Sequence, residues 1–414
     1  MDGFAHRGVA LAHHLGQVVF LFGAIPGERV TAVVTRVRSR HLFADTVEVL
    51  RASPDRVLPA CPVFGRCGGC QLQHIAYPRQ LALKREVVRA ALVTAHLDLE
   101  QAVVDEVPAA AAYGYRWRGE FHRAGETGAE LGFTERRGYR RLPVASCPIH
   151  HPAVNRALPA LAAALAEGAA DGGDGRAGRS VQTLHLTVGE AGSELLLAPR
   201  PDGSAAARIA AAAARRLGDG PRITVESTGQ RYRELMVRVY ADSFIQVNQG
   251  TVAQLYETVV EWLEPLIPAG AHVVDAYSGL GVLACRLAQG GRRVTALEIN
   301  PTAARLCRLH AELNCVADRV EVRLGPVEQL LPGLPPADAV IVDPPRAGLA
   351  PAVSGWLALE GPPTVVYISC EPATLARDCH VLAGLGPYRL RRVRVVDMFP
   401  QTAHIETVVL LERG

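Results

Sequence analysis

The stretch Val273-Val-Asp-Ala-Tyr-Ser-Gly-Leu-Gly281 decides the fold of the C-terminal part of the chain. It joins a short apolar run to a glycine turn, and the residues after the turn favour a helix. Glycines let the backbone approach a ligand closely, and the first amide groups of a helix are free to bind one. We therefore expect a buried strand, a ligand-binding turn and a helix in this order.

The same alternation continues to the end of the chain. Apolar runs typical of buried parallel strands occupy Val273–Ala276, Arg293–Leu297, Val320–Leu324, Ala339–Val342 and Thr364–Ser369. Helical patterns between them occupy Leu283–Gly290, Thr302–Asn314 and Thr374–Leu385. This order predicts a doubly wound α/β domain over residues 236–414, with ligands at the carboxyl ends of its strands.

Glu298 ends the second of these strands, where a carboxylate suits ribose hydroxyls. The spacing Gly279-x-Gly281-x-x-Ala284 also satisfies the loose dinucleotide fingerprint, so an NAD enzyme is an alternative at this point. The residues at the ends of the other strands must show whether the site belongs to an NAD enzyme or to an enzyme of another class.

The fourth and fifth strands end in reactive residues. Asp343-Pro-Pro-Arg346 follows the fourth, and its two prolines stiffen an acidic corner suited to a planar base. Cys370 leaves the fifth strand directly into a turn, where α/β proteins place their chemistry. Four other cysteines lie in or beside helices, and we interpret them as buried structural thiols: Cys285, Cys307, Cys315 and Cys379.

Glu406 stands at the start of a further apolar run, where a carboxylate is unusual unless it is paired or functional. These groups fit methylation of uracil carbon 5. A thiolate from Cys370 adds to carbon 6 and makes carbon 5 nucleophilic, and Glu406 then removes the carbon 5 proton. Asp343 would anchor the uracil, and the amide of Gln246 or Asn248 would orient base or cofactor. An NAD dehydrogenase explains none of these segments.

In this combination and order the motifs resemble the RNA uracil-C5 methyltransferase family, whose bacterial members act on 23S rRNA or the T-loop of tRNA. The resemblance covers nearly the whole chain, leaving residues 157–180 and 203–218 unaligned. It implies S-adenosyl-L-methionine as methyl donor. Two positions depart from the family pattern, Ser278 and Val282, and the cofactor role of the Asn common at the latter is not carried over. The implied cofactor contacts are Gln246, Tyr277, Gly279, Glu298 and Asp343.

A cluster of cysteines precedes this domain. Cys61, Cys67 and Cys70 are brought together by glycine turns, a pattern typical of a metal centre, and Cys147 is the best fourth ligand. Structural zinc is an alternative, although zinc sites more often use two short pairs. The rRNA-specific members of the family carry this spacing and hold a 4Fe–4S cluster, so the resemblance favours iron–sulfur. Substitution of a ligand by His150 or His151 is disfavoured.

The rest of the chain suggests two further domains. Residues 1–56 contain three short strand patterns and resemble a TRAM domain, a small RNA-binding barrel of the OB type. Residues 57–235 would form a central α+β domain with the cysteine site, including a helix and loop over Pro159–Ser180 and a helix over Ala205–Leu217. The three strand patterns are Gln17–Phe22, Arg29–Arg38 and Asp45–Leu50.

The charge pattern favours an RNA partner. The net charge is only +3, but arginines cluster in three runs, and their planar fork suits phosphate. Lys84 is the one lysine, so arginine also fills ordinary surface positions. No signal peptide or membrane span is expected, which predicts the cytoplasm. The runs are Arg36, Arg38 and Arg40; Arg136, Arg137, Arg140 and Arg141; and Arg389, Arg391, Arg392 and Arg394.

Three hypotheses follow for function. Methylation of 23S rRNA is the favoured hypothesis, because the cysteine site and the barrel resemble features of the rRNA-specific enzymes of the family. Methylation of a tRNA T-loop uridine by the same chemistry is second. A metal-stabilised RNA-binding protein without catalysis belongs to another class, and intact Cys370 and Glu406 argue against it.

Overall fold

We describe the protein from a computed structural model, which defines residues 3–126, 128–170, 181–189, 192–200, 206–232, 234–240 and 243–414. The chain forms two compact units. The first contains Met1–Val87, Ala111–Thr228 and Phe399–His404, and the second contains Val88–Ala110, Gly229–Met398 and Ile405–Gly414. The three-part division at residues 56 and 235 stays a prediction.

A five-stranded sheet opens the first unit. Its strands are β1 Gly3–Ala5, β2 Val9–His14, β3 Gln17–Phe22, β4 Arg29–Val37 and β5 His41–Arg51. They lie in the order β1-β2-β3-β5-β4, and only β3 and β5 pair in parallel. Alternate residues of β3, Val19 and Leu21, enter a small core with Leu42. The three predicted strands are present, whereas β1 and β2 were not predicted.

A second sheet of six strands completes the first unit, in the order β12-β11-β10-β7-β8-β9. Its strands are β7 Arg118–Ala124, β8 Glu130–Thr134, β9 Arg141–Pro143, β10 Thr183–Val188, β11 Glu194–Arg200 and β12 Arg222–Thr224. Helices α2, Pro152–Ala170, and α3, Ala206–Leu217, cover it with an apolar core. Helix α2 begins at Pro152, seven residues before the predicted start at Pro159, and Pro159 lies inside it. A proline such as Pro152 is tolerated in the first turn, where its missing N–H has no partner to lose. The loop predicted up to Ser180 lies outside the described residues.

Helix α1, Tyr77–Thr94, carries the one lysine of the chain. Lys84 is 1% exposed, and its Nζ donates a hydrogen bond of 2.9 Å to the carbonyl oxygen of Phe399. Gln80, one turn earlier, donates from Nε2 to Oε1 of Gln401 at 2.9 Å and accepts the backbone N–H of Gln401 at 3.0 Å. These bonds hold the short C-terminal segment that belongs to the first unit.

The second unit is built on an eight-stranded sheet in the order β17-β16-β15-β18-β19-β21-β20-β6. Its strands are β6 Val103–Val107, β15 His272–Ala276, β16 Arg293–Glu298, β17 Val320–Leu324, β18 Ala339–Val342, β19 Thr364–Ser369, β20 Tyr388–Val396 and β21 Glu406–Arg413. The five predicted strands are present and parallel, and β21 runs antiparallel to both of its neighbours.

Six α-helices of the second unit surround this sheet in the chain order that a doubly wound domain requires. A two-stranded sheet of β13, Ser227–Tyr232, and β14, Leu235–Tyr240, precedes them. Among the described residues, no helix combines the length and the apolar composition needed to cross a membrane. The helices are α4 Gln249–Leu263, α5 Val282–Gln289, α6 Pro301–Leu313, α7 Val327–Leu330, α8 Pro351–Glu360 and α9 Pro372–Leu385.

Candidate functional site

Three neighbouring strands of the eight-stranded sheet end at one edge. Parallel pairing aligns Ala276 of β15 with Val342 of β18, and Val342 with Tyr367 of β19. The loops that follow these strands therefore emerge side by side. Asp343 follows β18 directly, and Cys370 follows β19.

The antiparallel strand β21 brings Glu406 to the same edge. Ser369 faces Thr407, so continuing the register sets Cys370 opposite Glu406. Glu406 is the first residue of β21 and is only 3% exposed. The thiol and the two carboxyls are thus assembled in one place, while their chemical roles stay predictions.

The Cys370 thiol lies among groups that act on its pKa in opposite directions. Burial raises the pKa, and the carboxyls of Glu406 and Asp343 raise it further. Arg346 lowers it, by its charge and by a hydrogen bond with the thiol. This arginine is therefore the group in the site that favours the reactive thiolate.

The two carboxyls beside the thiol hold protons unusually well. Burial raises the pKa of Asp343 to about 7. Burial and then the charge of Asp343 raise the pKa of Glu406 well above its usual range, against an opposing effect of Arg346. Like charges in close proximity resist joint ionisation, so the two carboxyls titrate as a coupled pair.

Tyr256 in helix α4 belongs to this group, although the sequence analysis did not single it out. Burial raises the pKa of its phenol, and so do the charges of Tyr232, Asp343, Asp275 and Glu406. One tyrosine within an amphipathic helix gives no sequence signal, because only the packing of α4 brings it to the strand ends.

The glycine turn after β15 has the strained backbone that its composition predicts. Tyr277, Gly279 and Gly281 have positive φ values of 65°, 55° and 73°. A Cβ on Gly281 would overlap Sγ of Cys307, whereas a Cβ on Gly279 would meet nothing within 4 Å. Gly281 is therefore required for packing, and the backbone at Gly279 has open space beside it for a ligand.

Glu298 holds this turn from the end of β16. Its Oε2 accepts the backbone N–H of Gly279 at 2.8 Å, and its Oε1 accepts that of Asn300 at 2.7 Å. Each carboxylate oxygen keeps a further lone pair for a ligand hydroxyl.

Asp275, at the end of β15, is a buried carboxyl without a full set of partners. It is 2% exposed, and among the described residues its Oδ2 has no hydrogen-bond partner. Burial raises its pKa to about 8, and the charges of Asp343 and Glu298 add to the effect. An unpartnered carboxyl among other carboxyls suits a cationic ligand and disfavours a polyanionic dinucleotide.

Asn248 has a structural role. Its Oδ1 caps helix α4 by accepting the N–H of Thr251 at 3.2 Å, and its Nδ2 donates to the carbonyl oxygen of Met398 at 3.2 Å. The suggestion that the amide of Asn248 or of the half-buried Gln246 orients base or cofactor stays a prediction.

Helix α9 clamps the loop that follows Asp343. Oδ2 of Asp378 accepts the backbone N–H of Leu349 at 2.8 Å, and Thr374 donates to the carbonyl oxygen of Arg346 at 3.2 Å. Arg377 donates to the carbonyl oxygen of Ala347 at 3.0 Å. The sequence analysis missed this clamp, because its members lie about 30 residues from the loop they hold.

His310 of helix α6 fixes the glycine turn from the other side. Its Nδ1 lies 2.8 Å from the carbonyl oxygen of Leu280, and its Nε2 accepts the N–H of Arg238 at 3.0 Å. Asn314, one turn later, exchanges two hydrogen bonds with the backbone of Met236. The side chains of His310 and Asn314 thus form hydrogen bonds with the backbone of β14, as a neighbouring strand would.

The four remaining cysteines are gathered in the first unit. Cys61, Cys67, Cys70 and Cys147 all line one cavity of about 250 Å³, and all are free thiols. Burial raises the pKa of Cys70 to about 11 and that of Cys147 to about 12, and the neighbouring thiols add to both shifts. Within the described residues, no three His, Cys, Asp or Glu side chains are grouped so as to hold a single metal ion.

The helix-associated cysteines behave as expected with one exception. Cys285, Cys307 and Cys379 are buried, but Cys315 is exposed. Cys315 occupies a left-handed position, with φ of 56°, two residues after helix α6 ends, so it leaves the core.

In two of the three arginine runs, two of the four arginines are engaged in ion pairs. Arg136 and Arg137 both pair with Asp45, at 2.9 and 2.8 Å. Arg394 binds Asp105 at 2.8 Å, and Arg391 likewise pairs with a glutamate of β21. The run Arg36, Arg38 and Arg40 is exposed, and no ion pair within the described part of the chain uses it.

Comparison with known proteins agrees with this site. The family described as tRNA (Uracil-5-)-methyltransferase matches residues 336–414, which carry Asp343, Cys370 and Glu406. The 23S rRNA (uracil(1939)-C(5))-methyltransferase RlmD of Halomonas elongata is 33% identical over 440 residues, covering 100% of this chain and 88% of the relative. RlmD of Aromatoleum aromaticum is 31% identical over 446 residues, covering 100% and 99%.

A solved structure matches the fold over the same length. It is the crystal structure of Pyrococcus abyssi tRNA (uracil-54, C5)-methyltransferase in complex with S-adenosyl-L-homocysteine. The TM-score is 0.73 at 23% identity, and the match covers 99% of both chains. The fold is therefore a mixed α/β methyltransferase fold. The extended similarity in sequence goes further, and the chain belongs to the RNA uracil-C5 methyltransferase family.

Proposed function

We propose that this chain methylates carbon 5 of a uridine through a covalent bond between Cys370 and uracil carbon 6, with S-adenosyl-L-methionine as methyl donor. The observation that carries the proposal is the strand register that sets Cys370 opposite Glu406, with Asp343 beside them. A thiol and a general base are the two groups that this reaction requires of the protein.

The chemistry proceeds in three steps. The Cys370 thiolate, stabilised by Arg346, adds to carbon 6 and pushes the electron pair of the double bond toward carbon 5 and oxygen 4. Carbon 5 then takes the methyl group, which the cofactor supplies as an electrophile when bound. Glu406 accepts the carbon 5 proton, the double bond re-forms, and the bond from carbon 6 to the Cys370 sulfur breaks.

The mechanism gives Asp343 and Glu406 different protonation states. A protonated Asp343, which burial favours, would donate a hydrogen bond to uracil oxygen 4, where negative charge develops after the thiolate adds. Glu406 would accept the carbon 5 proton in its ionised form, which the charge of Arg346 favours and burial opposes. Asp343 thus anchors the uracil and lowers the barrier to its activation.

The cofactor would lie over the glycine turn. Gly279 leaves room for it, and Glu298 offers lone pairs to ribose hydroxyls. Asp275, with its unpartnered oxygen, fits the positive charges of S-adenosyl-L-methionine. Gln246, Tyr277 and Asp343 complete the proposed contacts, which are those that the family resemblance implies.

The proposed substrate is 23S rRNA. The RlmD relatives, at 33% and 31% identity over the whole chain, support it, and a tRNA T-loop uridine is the second candidate. The uridine must be flipped out of its fold to expose both faces of the reacting bond, at a cost of a few kcal/mol. The exposed run Arg36, Arg38 and Arg40, on the five-stranded sheet that we assign as a TRAM-like barrel, would offset that cost through phosphate contacts.

The four-cysteine cavity would hold a 4Fe–4S cluster. Zinc holds its four thiolates at about 2.3 Å, so it leaves no open volume between them. A cavity of about 250 Å³ between Cys61, Cys67, Cys70 and Cys147 fits a larger group with thiolate ligands. The cluster would tie the two cysteine-bearing segments of the first unit together. Iron and sulfide analysis of anaerobically purified protein tests this, and a colourless zinc protein would overturn it.

The decisive test of the mechanism replaces Cys370. Cys370→Ala should abolish methylation and the covalent RNA adduct, because no other thiol faces Glu406. The matched control is Cys379→Ala, which removes a buried thiol of the same unit outside the site. Nucleoside mass spectrometry after incubation with 23S rRNA and with tRNA also decides between the substrates. Methylation by the Cys370 variant at the normal rate would disprove the covalent mechanism.

A further inference from the structure

His150 is a buried polar side chain with nothing in the protein to bind. Its residue is 3% exposed, and among the described residues neither Nδ1 nor Nε2 has a hydrogen-bond partner. Burial of a polar group without a hydrogen-bond partner destabilises the folded protein. The imidazole therefore indicates a missing partner, and the neighbourhood must show what that partner is.

The ring of His150 is held firmly in position. It stacks on Phe133, with ring centroids 5.8 Å apart and an interplanar angle of 14°, and it packs against Phe121 at 5.1 Å. On another side the backbone of Gly119 lies so close that a Cβ there would overlap Nε2 of the histidine. These contacts leave the ring little freedom to turn toward another partner.

The ring also lines the four-cysteine cavity. His150 contributes to the wall of the 250 Å³ space together with Cys67, Cys70 and Cys147. Around this space the sulfur atoms of a bound cluster would be hydrogen-bond acceptors, and an imidazole carries at least one N–H donor. The unpartnered donor and the acceptors meet in the same cavity.

We propose that His150 donates a ring N–H to a sulfur atom of the cluster bound by the four cysteines. The inference rests on the proposed iron–sulfur site and adds to it a residue that is not a ligand. Since four thiolates complete the cluster's ligand set, the histidine acts as a hydrogen-bonding neighbour that tunes the cluster. Such a bond stabilises the more negative reduced state and raises the reduction potential.

The test is a redox titration of the whole protein, followed by the cluster's electron paramagnetic resonance signal, with dithionite as reductant. His150→Phe keeps an aromatic ring in contact with Phe121 and Phe133 but removes the donor. We expect the reduction potential of the His150→Phe protein to be lower than that of the wild type. The equilibrium constant for reduction of the cluster should fall by a few-fold or more, where a tenfold change equals about 59 mV for a one-electron couple. An unchanged potential in a fully loaded His150→Phe protein would overturn the proposal.

A matched control is His151→Phe, because His151 packs on Trp117 at 4.7 Å and does not line the cavity. Its potential should equal that of the wild type. If His150→Phe does not fold, a second comparison tests the proposal, between the wild type and His150→Gln, both labelled with ¹⁵N-histidine. The wild type should show a weak magnetic coupling between a histidine nitrogen and the cluster, and His150→Gln should lack it. Retention of the coupling in His150→Gln would count against the proposal.

Failure of the underlying iron–sulfur site is distinguishable. A wild-type protein without stoichiometric iron and sulfide would refute the cluster itself. If the wild type contains the cluster but its reduction potential does not change when His150 is replaced, only the proposed hydrogen bond is refuted.

Discussion

The hydroxyl of Tyr367 donates a 2.7 Å hydrogen bond to Oδ2 of Asp378, the same oxygen that accepts the N–H of Leu349. Tyr367 lies in β19, three residues before Cys370, and Leu349 ends the loop that begins with Asp343. One carboxylate oxygen therefore locks strand β19, which leads to Cys370, to the loop that begins with Asp343.

Removing this lock should impair the reaction more than the fold. We expect Asp378→Ala to lower kcat by about 10²-fold, since a displacement of about 1 Å in a reacting group costs that much. The melting temperature should fall as well, because Tyr367 and Leu349 lose a buried acceptor worth about 1–3 kcal/mol. Steady-state kinetics and calorimetry measure both.

The control for this prediction is Asp318→Asn, which changes an exposed aspartate paired only with its neighbour Arg319. It should leave kcat unchanged. Wild-type kcat in Asp378→Ala would show that the loops keep their positions without the clamp.

Glu406→Gln should trap the covalent intermediate. The amide cannot accept the carbon 5 proton, so methylated RNA stays bonded to Cys370. A slowly migrating protein–RNA band on a denaturing gel measures this, with Glu412→Gln at the far end of β21 as control. Rapid turnover by the Glu406 variant would remove its assignment as the base.

Adduct resolution should depend on pH in a defined direction. Burial and the charge of Asp343 raise the pKa of Glu406, and the base acts only when ionised, so the rate should fall as the pH drops through this raised pKa. Asp343→Asn removes the neighbouring charge, and the residual activity should then persist to lower pH. Single-turnover rates across the pH range measure the shift, and an unmoved profile would contradict the coupling of the two carboxyls.

Asp275 should make the cofactor-free protein less stable as the pH rises. Its pKa is raised from 3.8 to about 8 in the folded state, so the protonated form is favoured on folding. The stabilising contribution is complete below 3.8 and is lost as the pH rises through about 8. Asp275→Asn cannot ionise, and its melting temperature at about pH 8 should exceed that of the wild type by at least 2–4 °C, about 1 kcal/mol.

Calorimetry at several pH values checks this, and the two proteins should converge toward acidic pH. A variant that melts below the wild type at about pH 8 would mean that Asp275 is stabilised as a carboxylate by partners in solution.

The parallel half of the large sheet was predictable because its strands are short apolar runs, and four of the five are buried along nearly their whole length. Val320–Leu324, Ala339–Val342 and Thr364–Ser369 have the predicted bounds. The extension of the sheet was not. Strand β6, Val103–Val107, pairs with β20 from nearly 300 residues away, and no local pattern encodes a partner so distant.

The proximity of the two candidate reactive groups was predictable to the same extent. Cys370 and Glu406 stand out because a thiol and a carboxylate end apolar strands, and the register puts them opposite each other. Tyr256 and Asp378 lie in helices whose sequences look ordinary, so their positions depend on packing alone. The arginine runs show the opposite error: Arg136 and Arg394 looked like phosphate ligands, but neighbouring carboxylates bind them.

Because Lys84 is buried, its chemical reactivity should report local unfolding of the chain. It is the one lysine, and its amine is 1% exposed while it holds Phe399. An acylating reagent specific for amines therefore finds no reactive side chain while the first unit is closed. The rate at which Lys84 gains the mass of one acyl group would measure how often the segment that leads into Glu406 opens. The measurement needs no label or probe engineered into the protein.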